Sequence, residues 1–205
     1  MCLDTAQSLR AVYFQSHYRT SHRTISVNSL LQIVQNTYHK KVILSFHEDS
    51  HKSHHLYSFL HVDEDGNYNI CLMSEMTNCW NRFALCKELF HVILDEESTR
   101  NPSIKDHLQD YRAALTDSEA SGRDSSKSEI LTEYAAMQYL FPYAKRLVSL
   151  EEIDTRVSAG EARKVVFLDV AEKLMVPRLM VEDYLGTELM DLFDAISWIE
   201  KSDGR

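Results

Sequence analysis

Apolar residues recur along this chain with a period that changes from segment to segment, and the changes mark out its elements. Leu30, Leu31, Ile33, Val34 and Tyr38 stand at helical spacing and predict a helix from a cap at Asn28 or Ser29 to about Tyr38. Three short runs follow, Lys41 to His47, His55 to Val62 and Tyr68 to Met73, each rich in β-branched and aromatic residues. Asp63-Glu64-Asp65-Gly66 between the last two is a hairpin signal. The expectation is a small antiparallel sheet of about three strands. From Thr77 or Asn78 onward, Trp80, Phe83, Ala84, Leu85, Leu89, Phe90, Val92 and Ile93 leave almost no polar face, so this helix is expected to be buried.

Residues 96–128 are charged and irregular, with a short helix expected from Ile104 to Leu115 and a loop from Ser118 to Lys127. Ser128 then caps a helix that runs to Pro142. Beyond Leu150 the pattern is one of short helices: Glu151 to Val157, Glu161 to Leu174, Val176 to Leu185 and Glu188 to Ile199. Asp169 to Leu185 has the form of a helix-turn-helix with Ala171, Leu174, Val176, Val181 and Leu185 at its core positions. The first 24 residues are polar, and only Leu9 to Phe14 suggest a regular element. The fold class expected is therefore α+β, with a sheet-bearing domain over residues 1–147 and a C-terminal helical module over 148–205.

Composition narrows the function classes. With 205 residues, 44% of them hydrophobic, the chain can bury a real core. A formal net charge of −9 argues against general binding to nucleic-acid backbones. The candidate recognition helix adds Glu182 and Asp183 to its Arg178, which favours packing over DNA contact. Cys2, Cys71, Cys79 and Cys86 form no C-x-x-C pair and read as reduced thiols. No apolar run has the length of a signal or a membrane span, so a cytoplasmic protein without membrane attachment is expected.

Candidate chemistry gathers on the apolar helix. Lys87-Glu88-Leu89-Phe90-His91 is one residue from H-E-x-x-H, where two histidines a turn apart bind zinc and the glutamate activates water. A protonated lysine has no lone pair and cannot be a ligand. Taken alone, Lys87, Glu88 and His91 also fit the wet stripe of an ordinary amphipathic helix. Glu129 and Glu133 lie one turn apart on the later helix, either as solvated carboxylates near its start or as partners of the first group. His47, His51, His54, His55 and His61 crowd one polar segment, which reads as a solvated loop rather than a metal site.

Three blocks in order resemble the ImmA/IrrE family of metallopeptidases. Arg82-Phe-Ala-Leu-Cys-Lys-Glu-Leu-Phe-His91 is similar to that family's R-F-T-x-x-H-E-x-x-H helix, Glu129 to Pro142 to its E-x-x-x-[ND]-x-x-A-x-x-L-L-M-P helix, and Asp169 to Leu185 to its small helical module. The resemblance implies a zincin-like core and a zinc-dependent protease that relieves repression by cleaving a helix-turn-helix regulator, often encoded beside repressors in phages, integrative elements and stress regulons. By position, it implies His91 and Glu129 as zinc ligands, Glu88 as general base and Glu133 as a group behind the ligands. Lys87 stands where the first ligand belongs, and Cys86 beside it is turned about 100° away on the helix. Two readings follow: a catalytically impaired homologue that binds a regulatory protein or peptide, its Lys87 ammonium bonded to Glu129, with Glu133 as a second candidate partner, in place of zinc, or an active zinc endopeptidase with an irregular ligand set.

Overall fold

The computed structural model describes residues 26–48, 58–94 and 124–186. The elements expected at 9–14, 104–115 and 188–199, and His51, His54 and His55, lie outside these. Helix α1 (Val27–Thr37) is followed by β1 (Val42–His47), β2 (Ser58–Val62), β3 (Tyr68–Met73), α2 (Asn78–Ile93), α3 (Asp124–Leu140), α4 (Tyr143–Ser158), α5 (Arg163–Leu174) and α6 (Arg178–Tyr184). This is an α+β chain. It divides into two compact units, residues 1–136 and 137–205, so positions 147 and 148, where the sequence pattern changes, fall inside α4.

In the first unit the strand order is β1-β3-β2. The β2–β3 pair is the expected antiparallel hairpin, but β1 runs parallel to β3, with Val42 beside Tyr68 and His47 beside Met73. The sheet is therefore mixed rather than antiparallel. Alternation of side chains is the same in both kinds of pairing, which is why the pattern could not tell them apart. Tyr68, Ile70 and Leu72 of β3 are buried, and α2 lies against β2 and β3. Helix α1 packs on α2 through Val27, Leu30 and Val34, one helical stripe. It begins before Asn28, with Ser26 in the N-cap position but making no side-chain capping bond, so Asn28 and Ser29 lie in its first turn.

Helix α2 starts where the sequence places it. Thr77 is the cap, its hydroxyl accepting from the Trp80 N–H at 3.5 Å. Helix α3 begins at Asp124, a turn before Ser128, so the end of the expected 118–127 loop is helical. In the second unit, α4 starts directly after Pro142, whose φ of −66° suits a helix entry. That helix is a full two turns longer at its start than the Glu151 beginning expected from the apolar pattern. Its Arg146 is fully buried, donating to the Phe141 carbonyl at 2.7 Å and to Gln138 Oε1 at 2.8 Å, with the guanidinium carbon 5.4 Å from the Tyr184 ring centre. Burial lowers this guanidinium to about 10.

Helices α5 and α6 form the expected helix-turn-helix around Val176. Ala171, Val176, Val181 and Leu185 are buried, while Leu174 is only half-buried. Met175 makes the turn in the left-handed region at φ 51°, and the Val176 N–H closes on the Ala171 carbonyl at 3.1 Å. Arg178 of α6 bonds Glu182 one turn on, Nη1 to Oε1 at 2.5 Å.

The hairpin tip is held by one carboxylate. Asp63 Oδ1 accepts from the Asn67 N–H at 2.8 Å and the Asp65 N–H at 3.1 Å, and Oδ2 from the side-chain amides of Asn67 and Asn69. Gly66, at φ 78°, supplies the left-handed step the turn needs. The Asn67 side chain, then its backbone, lowers the Asp63 carboxyl to about 2. A carboxyl lowered on folding adds stability that is full above its unfolded value and lost as pH falls through the folded one. Asp63→Ala is therefore expected to lower the thermal midpoint by a few degrees at pH 7. The gap between variant and parent should close in melts recorded as the pH falls from about 4 to about 2.

Candidate functional site

One carboxylate on α2 sets the problem. Glu88 is 3% exposed on a helix whose Phe83, Ala84, Leu85, Leu89 and Phe90 are all buried. An unpartnered charge there would cost several kcal/mol. Two groups supply partners. Ser58, the first residue of β2, donates its hydroxyl to Glu88 Oε1 at 2.6 Å, and Lys87 Nζ lies 3.9 Å from the same oxygen.

Lys87 reaches across to α3. Its Nζ is 2.5 Å from Glu129 Oε2, with the lysine side chain 18% exposed and the glutamate 36%. The other Glu129 oxygen, Oε1, is 3.0 Å from His91 Nε2. Thr132, one turn beyond Glu129, places its Oγ1 at 3.0 Å from the same Nε2 and donates to the Glu129 carbonyl at 3.0 Å. A hydroxyl has one proton. With Thr132's proton spent on that carbonyl, its oxygen can only accept from His91, so hydrogen-bond bookkeeping puts the imidazole proton on Nε2. That proton is shared between Glu129 and Thr132.

The sequence-derived residues thus fall into one cluster, in which Lys87, Glu88, His91 and Glu129 are joined within hydrogen-bond or ion-pair range. Glu133 lies one turn past Glu129 and is half-buried. Sequence reasoning missed Ser58 and Thr132. Thr132 carried a usable signal, three residues after Glu129 on the same helix face. Ser58 carried none, because only the β2 register brings it over α2. Cys86 is not among these contacts; its Sγ lies 4.0 Å from the Ala136 carbonyl. His47 and His61 point to the far side of the sheet: Ser58 is aimed at Glu88, while its neighbour Phe59 contacts the His47 ring and His61 has Phe59's parity.

These residues do not fit zinc as they stand. A tetrahedral site wants three ligand lone pairs converging on one point. Here an ammonium occupies the first position, and His91 turns a donating N–H rather than a lone pair toward Glu129. Among the described residues no three His, Cys, Asp or Glu side chains are grouped to hold a metal ion. No helix among them is long and apolar enough to cross a membrane.

No protein-family model matches this chain, and no curated protein matches it. Among solved structures it is similar to a Mycobacterium tuberculosis transcriptional regulator, at 12% identity and a TM-score of 0.44 over 87% of this chain. The aligned part is 47% of that regulator, so the chain spans about half its length. A likeness of that size does not bear on function.

Burial pushes the Glu129 carboxyl upward, but the hydrogen bond from His91 and the charge of Lys87 outweigh it and hold the group far below the usual carboxylate range. Its contribution is full at neutral pH and declines in acid, beginning near the ordinary carboxylate value of about 4. Lys87→Met strips the cation from between two carboxylates. Because Glu129 is partly solvated, urea unfolding at pH 7 should register a loss of about 1–3 kcal/mol. Adding Glu129→Gln should return part of that loss, giving a positive coupling in a double-mutant cycle.

Proposed function

We propose that this protein is a metal-free relative of the ImmA/IrrE metallopeptidases that binds a regulatory protein or peptide without cutting it. The observation that carries the reading is the Lys87 ammonium, 2.5 Å from Glu129 and 3.9 Å from Glu88, standing where a first zinc ligand would be. A dication in such a site neutralises carboxylates and acidifies water; an ammonium performs only the first task. What remains is a frame whose two carboxylates share one ammonium, without a water activator.

Binding is supported by the sheet. Among the described residues β2 is an edge strand, and its first residue contacts Glu88. An extended segment of a partner can add to such an edge through main-chain hydrogen bonds, with side chains reading the groups alongside. The partner class follows from the resemblance: a regulator of the kind the family's enzymes cleave.

Elemental analysis after mild purification tests the reading. The native protein is expected to hold far less than one zinc per chain, and Lys87→His to retain about one through dialysis. A native protein that keeps stoichiometric zinc and cleaves a helix-turn-helix regulator would overturn it in favour of an active endopeptidase.

A further inference from the structure

Hydrogen bonds are shared out unevenly between two carboxylates of this chain. Asp63, on the open hairpin, takes four donors. Glu88, with only 4% of its side chain open, takes one, the Ser58 hydroxyl at Oε1. Lys87 Nζ lies toward that same oxygen, and 3.9 Å is too long for a hydrogen bond. Among the described residues nothing donates to Oε2. Nor is Oε2 one of the polar atoms sealed from solvent, so the small opening at Glu88 lies at the oxygen that lacks a donor. A buried carboxylate kept only for the fold would gain from a second donor there, and the shortage points to one that comes from outside.

The opening has a definite place. Ser58 meets Glu88 from β2, an edge strand among the described residues, and Lys87 links it to Glu129 of α3. The Glu88 head group therefore stands where the sheet edge, α2 and α3 converge, all within the first unit. Of these three charged groups two are carboxylates and one is an ammonium, which leaves one negative charge over. A group completing the site has to bring a donor to Oε2 and a positive charge with it. Water or a main-chain N–H brings the donor alone. A guanidinium or an ammonium brings both, and the planar fork of an arginine can address two carboxylates at once.

From this arrangement we propose that Glu88 and Glu129 form a recognition site for a cationic side chain of the bound protein or peptide, one of its N–H groups donating to Glu88 Oε2. The inference rests on the non-cleaving, partner-binding reading above and names what that partner presents: an extended segment along β2 with an Arg or Lys beside Ser58. The carboxylate that would be a general base in an enzyme serves here as an acceptor for the partner.

The test selects peptides from a random-sequence library on the native full-length chain, then titrates the selected peptide. Arg or Lys is expected to be enriched at one position. Exchanging that residue for its neutral analogue, citrulline for Arg or acetyl-lysine for Lys, should weaken binding to the native chain at least about ten-fold, and to Glu88→Gln hardly at all. Glu88→Gln keeps an acceptor for Ser58, and its binding of the neutral analogue as tightly as the native chain does reports an intact fold. Asp65→Asn, the same change of net charge at the hairpin tip, should leave affinity for the basic peptide unchanged. Selected peptides without a basic preference, or a penalty for the neutral analogue equally large on Glu88→Gln, would overturn the proposal and leave the partner-binding reading standing. Stoichiometric zinc with cleavage of a regulator overturns that reading instead, and a native chain that selects no peptide overturns both.

Discussion

A carboxylate enclosed on an apolar helix constrains everything packed around it. Water that Glu88 loses on folding has to be replaced by donors of fixed geometry, because a buried charge without them costs several kcal/mol. Ser58 supplies one at 2.6 Å, and this fixes how β2 lies over α2. Lys87 supplies the nearby positive charge, and being only 18% exposed it needs a second anion of its own. That requirement places Glu129 and the start of α3 beside α2. Two packing relationships, strand on helix and helix on helix, thus have a polar reason in addition to the apolar one.

The same chain of demands explains the state of His91. Glu129 uses one oxygen for Lys87 and turns the other to His91 Nε2, where Thr132 also waits as an acceptor. Each group's hydrogen-bonding direction is fixed by its neighbour's. A metal entering this cluster would have to displace the ammonium from Glu129 and the proton from Nε2 at once. A histidine at position 87 would take the ammonium away from Glu129 and leave its Oε2 without that partner.

Much of this was legible in the residues. The Thr77 cap and the nearly unbroken apolar surface of α2 located the helix, and the demand for partners at Lys87 and Glu88 followed from its burial. The hairpin at Asp63 to Gly66 was equally readable, because its turn chemistry is local. What local pattern does not encode is pairing between distant strands. It left β1 parallel to β3 unseen, and with it the position of Ser58. Helix α4 was read two turns short because Leu147 and Val148 are exposed while Arg146 is buried, inverting the usual assignment of apolar in and charged out. Arg146 can be buried because Phe141, Gln138 and the Tyr184 ring surround its guanidinium.

The unforeseen topology also decides which residues meet on the outer sheet face. Had the strands followed chain order, β1 would have bordered β2, and Ser45 would have had no cysteine beside it. Inserting β3 between them sets Cys71 in the central strand with Ser45 on one side and Phe59 on the other. The period of two then carries His47 to the same face as Ser45, close enough to share its hydroxyl. On the opposite face the same alternation delivers Ser58 to Glu88. One arrangement of strands therefore sets the Ser45 hydroxyl between Cys71 and His47 on one side of the sheet and brings Ser58 to Glu88 on the other. Sliding β2 by one residue along β3 would turn Ser58 away from Glu88 and Phe59 away from the His47 ring.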